Sequence, residues 1–247
     1  MPIRNSADVA FFLIGGFDVL GSLTQIEDSE EAILEPSHTL GDLWEEHTFV
    51  GVRKAEISQE GFYNDDVASV HDALSTGPGI SRVLCYGVAG TATGAQFIGW
   101  EGAMQVNYER IIGREVLHKA RATYRTNGAV EQHGRLVRMY GAHSATGRTT
   151  GTPLDGAASS SGGVGYFQWN ATAGEVNARL LHSSDNITYA TLFTFAKTVA
   201  NSRGAERLTT TGIIERYTAA DYTTASATGS IAALNSFMGL ARGALSS

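Results

Sequence analysis

Two strand-like runs, Ala103 to Arg110 and Val116 to Arg125, flank the short bend Ile111-Ile112-Gly113-Arg114, and their pairing constrains this chain more than any other feature. In the first run Met104, Val106 and Tyr108 alternate with Gln105, Asn107 and Glu109. In the second, Val116, His118, Ala120, Ala122 and Tyr124 alternate with Lys119, Arg121, Thr123 and Arg125. A period of two, with one apolar and one polar face, predicts an antiparallel hairpin packed on one side and wetted on the other. Such a pair forms a wall between a core and an aqueous space.

The rest of the composition agrees with a β-rich chain. Of 247 residues, 29 are glycine, only 4 are proline and 17% are charged. The length allows one large domain or two modest ones, either able to bury a core. The formal charge of −7 argues against binding nucleic acid through a basic face, which depends on clustered Lys and Arg. Acid concentrates between Glu27 and Glu46, where Glu27, Asp28, Glu30, Glu31, Glu35, Asp42, Glu45 and Glu46 occur without a Lys or Arg. That run is either a solvated loop or a contact segment for a neighbouring molecule. Cys85 is the single cysteine, so no intrachain disulfide forms, and its apolar neighbours place it in a buried strand. The apolar run Val9 to Ile14 is too short for a secretion signal, and no stretch reaches the length of a membrane span.

Along the chain, Val9 to Phe17 reads as a strand broken at Gly15-Gly16, and Asp18 to Thr48 as a long irregular acidic segment. Segments of that length inside a compact domain usually have a task. Val50 to Ile57 reads as a strand. Asn64 and Asp65 cap a short helix carrying Val67, Val70 and Leu74, which Gly77-Pro78-Gly79 stops. Strands are predicted at Ile80 to Val88, Ala129 to Tyr140, Gly165 to Asn170, Glu175 to His182, Glu206 to Tyr217 and Ile231 to Ala241. Residues 141–165 hold seven glycines and a Ser/Thr run, the composition of a linker. The parse is therefore a β domain at 1–140, a linker at 141–165 and a second β-rich domain at 166–247. Ala55 to Gln59 lines up with Ala178 to His182, and the helix ending at Leu74 with the amphipathic stretch around Tyr189, Leu192, Phe193 and Ala196. The second half is thus either a duplicate of the first or a separate exterior domain.

Candidate chemistry is thin. His182-Ser183-Ser184-Asp185 has the residue types of a hydrolytic triad, but neighbours in sequence rarely align nucleophile, base and orienter, and a strand-end turn uses the same residues. Gly87, Gly90 and Gly94 lack the Lys-Ser or Lys-Thr of a phosphate loop. The seven histidines are scattered, and Asp65-Asp66 lacks alternating calcium ligands. No catalytic residue, cofactor or metal site is assigned.

Several segments resemble the major tail protein, the tail tube protein, of long-tailed bacteriophages. They are Val9 to Gly16, Leu40-Gly41-Asp42-Leu43-Trp44-Glu45-Glu46, Gly51 through Ser58 to Asp65, Leu117-His118-Lys119-Ala120, His182 to Asp185 and Arg216-Tyr217. The resemblance implies a mainly β protein, a tail-tube-type β-sandwich or barrel with a short flanking helix. It implies rings that stack into a hollow tube for DNA, with a lumen wall from neighbouring subunits and a long loop reaching the adjacent ring. The candidate lumen residues are Met104, Gln105, Asn107, Glu109, Lys119, Arg121, Thr123 and Arg125. The candidate ring-stacking loop carries Glu27, Asp28, Glu30, Glu31, Glu35, Asp42, Trp44, Glu45 and Glu46. Six tube domains per ring make a single-domain chain a hexamer and a duplicated one a pseudo-sixfold trimer. The implied partners are copies of the chain and the terminator, tape measure and tail-tip proteins, with DNA only in transit and no membrane. The implied location is the virion tail, after synthesis in the host cytoplasm. Lys119, Arg121 and Arg125 would retain DNA if free in a lumen, so they are expected to pair with acidic residues of the next subunit or ring. The rival is a soluble β-sandwich binding module for carbohydrate or protein, with Trp100, Tyr166 and Trp169 as aromatic platforms. A hydrolase using His182 and a distant serine ranks behind it.

Overall fold

The computed structural model describes residues 9–37, 47–64, 70–114, 117–127, 131–143, 146–148, 153–196, 198–224 and 234–243. It is mainly β. In chain order the elements begin with β1 (Phe12–Ile14), β2 (Phe17–Asp18), β3 (Leu23–Pro36), β4 (His47–Phe62) and the helix α1 (Val70–Ser75). There follow β5 (Ser81–Gly87), β6 (Gln96–Ile111), β7 (Lys119–Thr126), β8 (Gln132–His143), β9 (Gly147–Arg148) and β10 (Leu154–Asp155). The last are β11 (Gly163–Ala171), β12 (Val176–Ser183), β13 (Ala190–Thr194), β14 (Ser202–Thr210), β15 (Tyr217–Thr224) and β16 (Leu234–Arg242).

The predicted hairpin is present as β6 and β7, paired antiparallel from Ala103↔Thr126 to Ile111↔Lys119. Val116 lies outside the described residues. Three expectations are corrected. Asp18 to Thr48 is not irregular, because Leu23–Pro36 is a strand along β4. Its alternating Gln25, Glu27, Ser29 and Glu31 have the period of a wetted strand face, and the run of charge concealed it. Glu206 to Tyr217 is not one strand: β14 ends at Thr210 and β15 begins at Tyr217, with Gly212 between. The stretch Tyr189 to Ala196, aligned with the helix, contains β13. Asp65 and Val67, expected at the start of α1, lie outside the described residues.

One sheet takes the order β14-β11-β16-β8-β6-β5-β1-β2, with β7, β4 and β3 continuing from the far half of β6. A smaller sheet runs β10-β15-β12-β13, with β9 on β15. Because successive strand residues face opposite sides, the sheets enclose three cores. Phe167, Leu180, Phe193, Tyr222 and Met238 fill the space between β11/β16 and the small sheet. Phe12, Ile14, Ile57, Leu84, Trp100 and Tyr124 fill the space under β3, β4 and β7, closed by Leu74 of α1. Between these lies a middle core of Leu13, Cys85, Phe97, Leu136, Tyr166 and Phe237, drawn from β1, β5, β6, β8, β11 and β16.

The middle core joins the sequence halves. Strand β16 lies between β11 and β8, so residues on both sides of 141–165 share one hydrogen-bonded sheet. The Gln168 side chain spans the seam, accepting from Gly16 N (3.0 Å) and donating to Leu13 O (3.3 Å). Gly16 has φ +88°, and an added Cβ would lie 2.4 Å from Trp169 O, so the close approach requires glycine there. Cys85 is fully buried, as expected, and burial pushes its thiol up to about 12.

Candidate assembly surface

Strands β3, β4, β7 and β6 form a four-stranded surface with one face on a core and the other in water. On β7, Ala120, Ala122 and Tyr124 are buried. Lys119, Arg121, Thr123 and Arg125 alternate outward. Registers with β4 and β6 align the outward residues in rows. One row is Gln25, Glu60, Arg121 and Glu109; the next is Glu27, Ser58, Thr123 and Asn107; the third is Ser29, Glu56, Arg125 and Met104.

The rows place opposite charges side by side. Glu60 accepts from Lys119 Nζ at 2.6 Å through one carboxylate oxygen and from Arg121 Nη2 at 2.5 Å through the other. Glu56 accepts from Arg125 Nε at 2.7 Å. The hydrogen bonds from Lys119 and Arg121 hold the Glu60 carboxyl below the usual carboxylate range. The expectation that these three cations pair with another subunit is therefore corrected, since their partners stand on the adjacent strand of the same chain. Glu56 and Glu60 were not singled out from the sequence, although the alternation of Glu56, Ser58 and Glu60 continues the period of the preceding strand. With Glu27, Glu56, Glu60 and Glu109 facing Lys119, Arg121 and Arg125, the face has no cationic excess.

Gln105 is corrected too. It is buried while Val106 is 42% exposed, the reverse of the alternation. The β6–β7 register shifts between Gln105 and Asn107, and this bulge turns Val106 outward. The Gln105 amide donates to Leu74 O at 2.8 Å and to Asn107 O at 3.1 Å, capping the end of α1. A Cβ on Gly77 would lie 1.8 Å from Gln105 Oε1. The glycine after the helix was therefore the available signal of a close approach. Asn107 remains on the wetted face, accepting from Thr123 N at 2.8 Å and donating to Glu109 at 3.2 Å.

The acidic run divides at the limit of the described residues. Glu27, Asp28, Glu30, Glu31 and Glu35 lie on β3, while Asp42, Trp44, Glu45 and Glu46 lie outside. Strand β4 pairs with β7 only from Glu56 to Phe62. His47–Ala55 and the matching part of β3 therefore extend beyond β7 as a two-stranded arm, about 30 Å long at about 3.3 Å per residue. At its base Tyr86 hydroxyl donates to Asp28. Glu131 lies close by, 3.2 Å from His133. Burial, then the charges of Asp28 and Glu30, push Glu131 up to about 7. Among the described residues the outer edge of β3 pairs with no strand.

The alternatives meet a different geometry. Trp100 and Tyr166 are 1% and 0% exposed, and Trp169 packs on a core, so these rings are not surface platforms. Ser183 Oγ donates to Asp185 at 2.8 Å, and Asp185 accepts from Ile187 N and Thr188 N. His182 Nδ1 accepts from Glu215 N at 3.2 Å. The four residues make the strand-end turn, with the histidine directed at another loop.

No protein-family model matches the chain, and no curated protein matches it. Solved structures similar to it include a chain of the virion of a native gene transfer agent particle, 15% identical with a TM-score of 0.41 over 51% of this chain and 96% of that one. A chain from the tail of an empty gene transfer agent particle, refined with C6 symmetry, is 16% identical with a TM-score of 0.38 over 51% and 96%. The SPP1 Dit (gp 19.1) protein, described as a paradigm of the hub adsorption apparatus in phages infecting Gram-positive hosts, is 10% identical with a TM-score of 0.34 over 94% and 98%. All three TM-scores lie below 0.5, too distant a likeness to carry function across.

Proposed function

We propose that this chain is a non-enzymatic structural subunit of a phage-type tail, which assembles with copies of itself into stacked rings around a channel for DNA. The observation that carries this reading is the wetted β3-β4-β7-β6 surface ending at β3, a 14-residue edge strand that pairs with β4 on one side and whose outer edge has no partner among the described residues. A long unpaired edge is a template for another strand, and closure of a ring removes it. The ion pairs of Glu56 and Glu60 support a channel role, because a lumen that must release DNA cannot present free cations. Terminator, tape measure and tail-tip proteins are the partners this role requires, with the virion tail as its location.

Negative-stain electron microscopy of the concentrated protein at neutral pH tests the proposal. Stacked rings or hollow tubes are expected, and rotational averaging separates sixfold from pseudo-sixfold trimeric symmetry. A protein that stays monomeric at every accessible concentration overturns it.

A further inference from the structure

Four large apolar side chains stand in solvent at one end of the wetted surface. Phe62 ends β4, Ile111 ends β6, and Ile112 and Leu117 follow in the turn, with exposures of 42%, 43%, 63% and 73%. Phe62 and Ile111 flank Lys119 in one cross-strand row. The adjoining Arg110 and Arg114 are exposed and form no ion pair among the described residues. Clustered exposed apolar groups rimmed by charge mark a contact surface.

The β3–β4 arm leaves the same surface at the opposite end, since β4 runs from the arm toward Phe62. Its β3 strand has the complementary residues: Leu34 is 53% exposed, Glu31 and Glu35 are exposed, and β3 contains no Lys or Arg, while β4 brings Arg53 and the exposed Lys54 to the arm, Lys54 opposite Glu31. A chain's own arm points away from its own tip, so the two meet only between copies. We propose that the tip formed by Phe62, Ile111, Ile112 and Leu117 is the receiving site for the β3–β4 arm of a second copy of this chain. Glu31 and Glu35 of one copy approach Arg110 and Arg114 of the next, and Leu34 covers the apolar tip. A contact between different patches at opposite ends repeats head to tail, which is the arrangement that builds a ring or a stack. This inference rests on the self-assembly reading above and adds to it the surface that accepts the arm.

The full-length chain tests it by sedimentation velocity and negative-stain microscopy. R110E/R114E, I112D/L117D and, on the arm, E31R/E35R should each raise the concentration for assembly about tenfold or more. The quadruple exchange R110E/R114E/E31R/E35R should recover assembly, because the charge pattern is reversed on both partners. Independently, L34C/I112C should form a disulfide-linked ladder on a denaturing gel, with the buried Cys85 chain as the blank. Assembly of all tip and arm variants at the wild-type concentration, with no ladder, overturns the arm-to-tip contact while leaving self-assembly standing. A wild-type chain that never assembles overturns both.

Discussion

Phe97 packs edge-on against Tyr166 and Phe237, with ring centroids 5.6 and 5.3 Å away, and glycines make the room for its ring. A Cβ on Gly239 would lie 2.5 Å from Phe97 Cε1, and one on Gly134 would lie 2.3 Å from the same atom. All three rings are fully buried, so an added methyl cannot be accommodated by rotation into solvent. Gly239→Ala should therefore destabilise the protein by about 1–3 kcal/mol in urea unfolding. The loss should be smaller when the same change is made in a Phe97→Leu background. Two titrating groups act in opposite directions. His143 stacks on Tyr222, its Nδ1 facing Arg138 Nη2 at 3.3 Å and its Nε2 facing Ser236 O at 3.4 Å. Nε2–H then donates to the carbonyl while Nδ1 accepts from the guanidinium, so a second proton would meet a positive charge. Burial, then Arg138, pushes this histidine down to about 4. An unfolded chain takes up the proton near 6.5, so His143 loses stability as pH falls from about 6.5 through 4. Glu131 has the reverse sign. Its native value near 7 lies above the ordinary glutamate value, so its contribution is full below about pH 4.5 and is lost as pH rises through 7. Glu131→Gln should raise the melting temperature relative to wild type at pH 8 and give a much smaller difference at pH 5. An equal difference at both pH values would refute the assignment.

At the scale of elements, the β6–β7 hairpin, the turn at Gly15-Gly16 and the short helix were legible because each depends on local signals: alternation, a glycine pair, a Gly-Pro-Gly stop. The bulge at Val106 was not, because it is set by Gln105 reaching Leu74 O on another element, a contact that alternation within β6 cannot encode. The neutralised face was half legible. The outward positions of Lys119, Arg121 and Arg125 follow from the period, but their partners depend on β4 lying beside β7, a pairing between segments about sixty residues apart. This pairing gives a direct test of the channel argument. In E56A/E60A the cations lose their partners on β4, while the core-facing side of that strand is untouched. The variant should bind duplex DNA in a gel-shift assay at low salt and release it as salt rises, whereas the wild-type chain should not shift DNA. Equal binding by both proteins would remove the role assigned to Glu56 and Glu60.

At the scale of the whole molecule, one hydrogen-bonded sheet and the middle core join the sequence halves. Composition marked 141–165 as a seam; the described residues there include the end of β8, the short strands β9 and β10, a bridge from Ser159 to Ile214 and the start of β11. Sequence gave no sign that β16 would return to lie between β11 and β8, because strand pairing across that distance has no local signature. Its consequence is energetic. Removing everything after residue 165 would strip β8 of its β16 neighbour and open the middle core at Tyr166, Phe237 and Ala241. It would also leave Gly16 N–H and Leu13 O without the Gln168 amide. Aromatic and aliphatic side chains of this kind each lose about 1.5–3 kcal/mol of burial, and each orphaned buried backbone group adds about 1–3 kcal/mol. Together these are comparable with the whole 5–15 kcal/mol by which a domain is typically stable. Fragment 1–165 expressed alone should therefore show no cooperative thermal transition. The dissociated intact chain should unfold in a single transition whose calorimetric and van't Hoff enthalpies agree. Two resolved transitions, or a folded fragment with native amide protection in β1 and β5, would show that the middle core is an interface between independent domains.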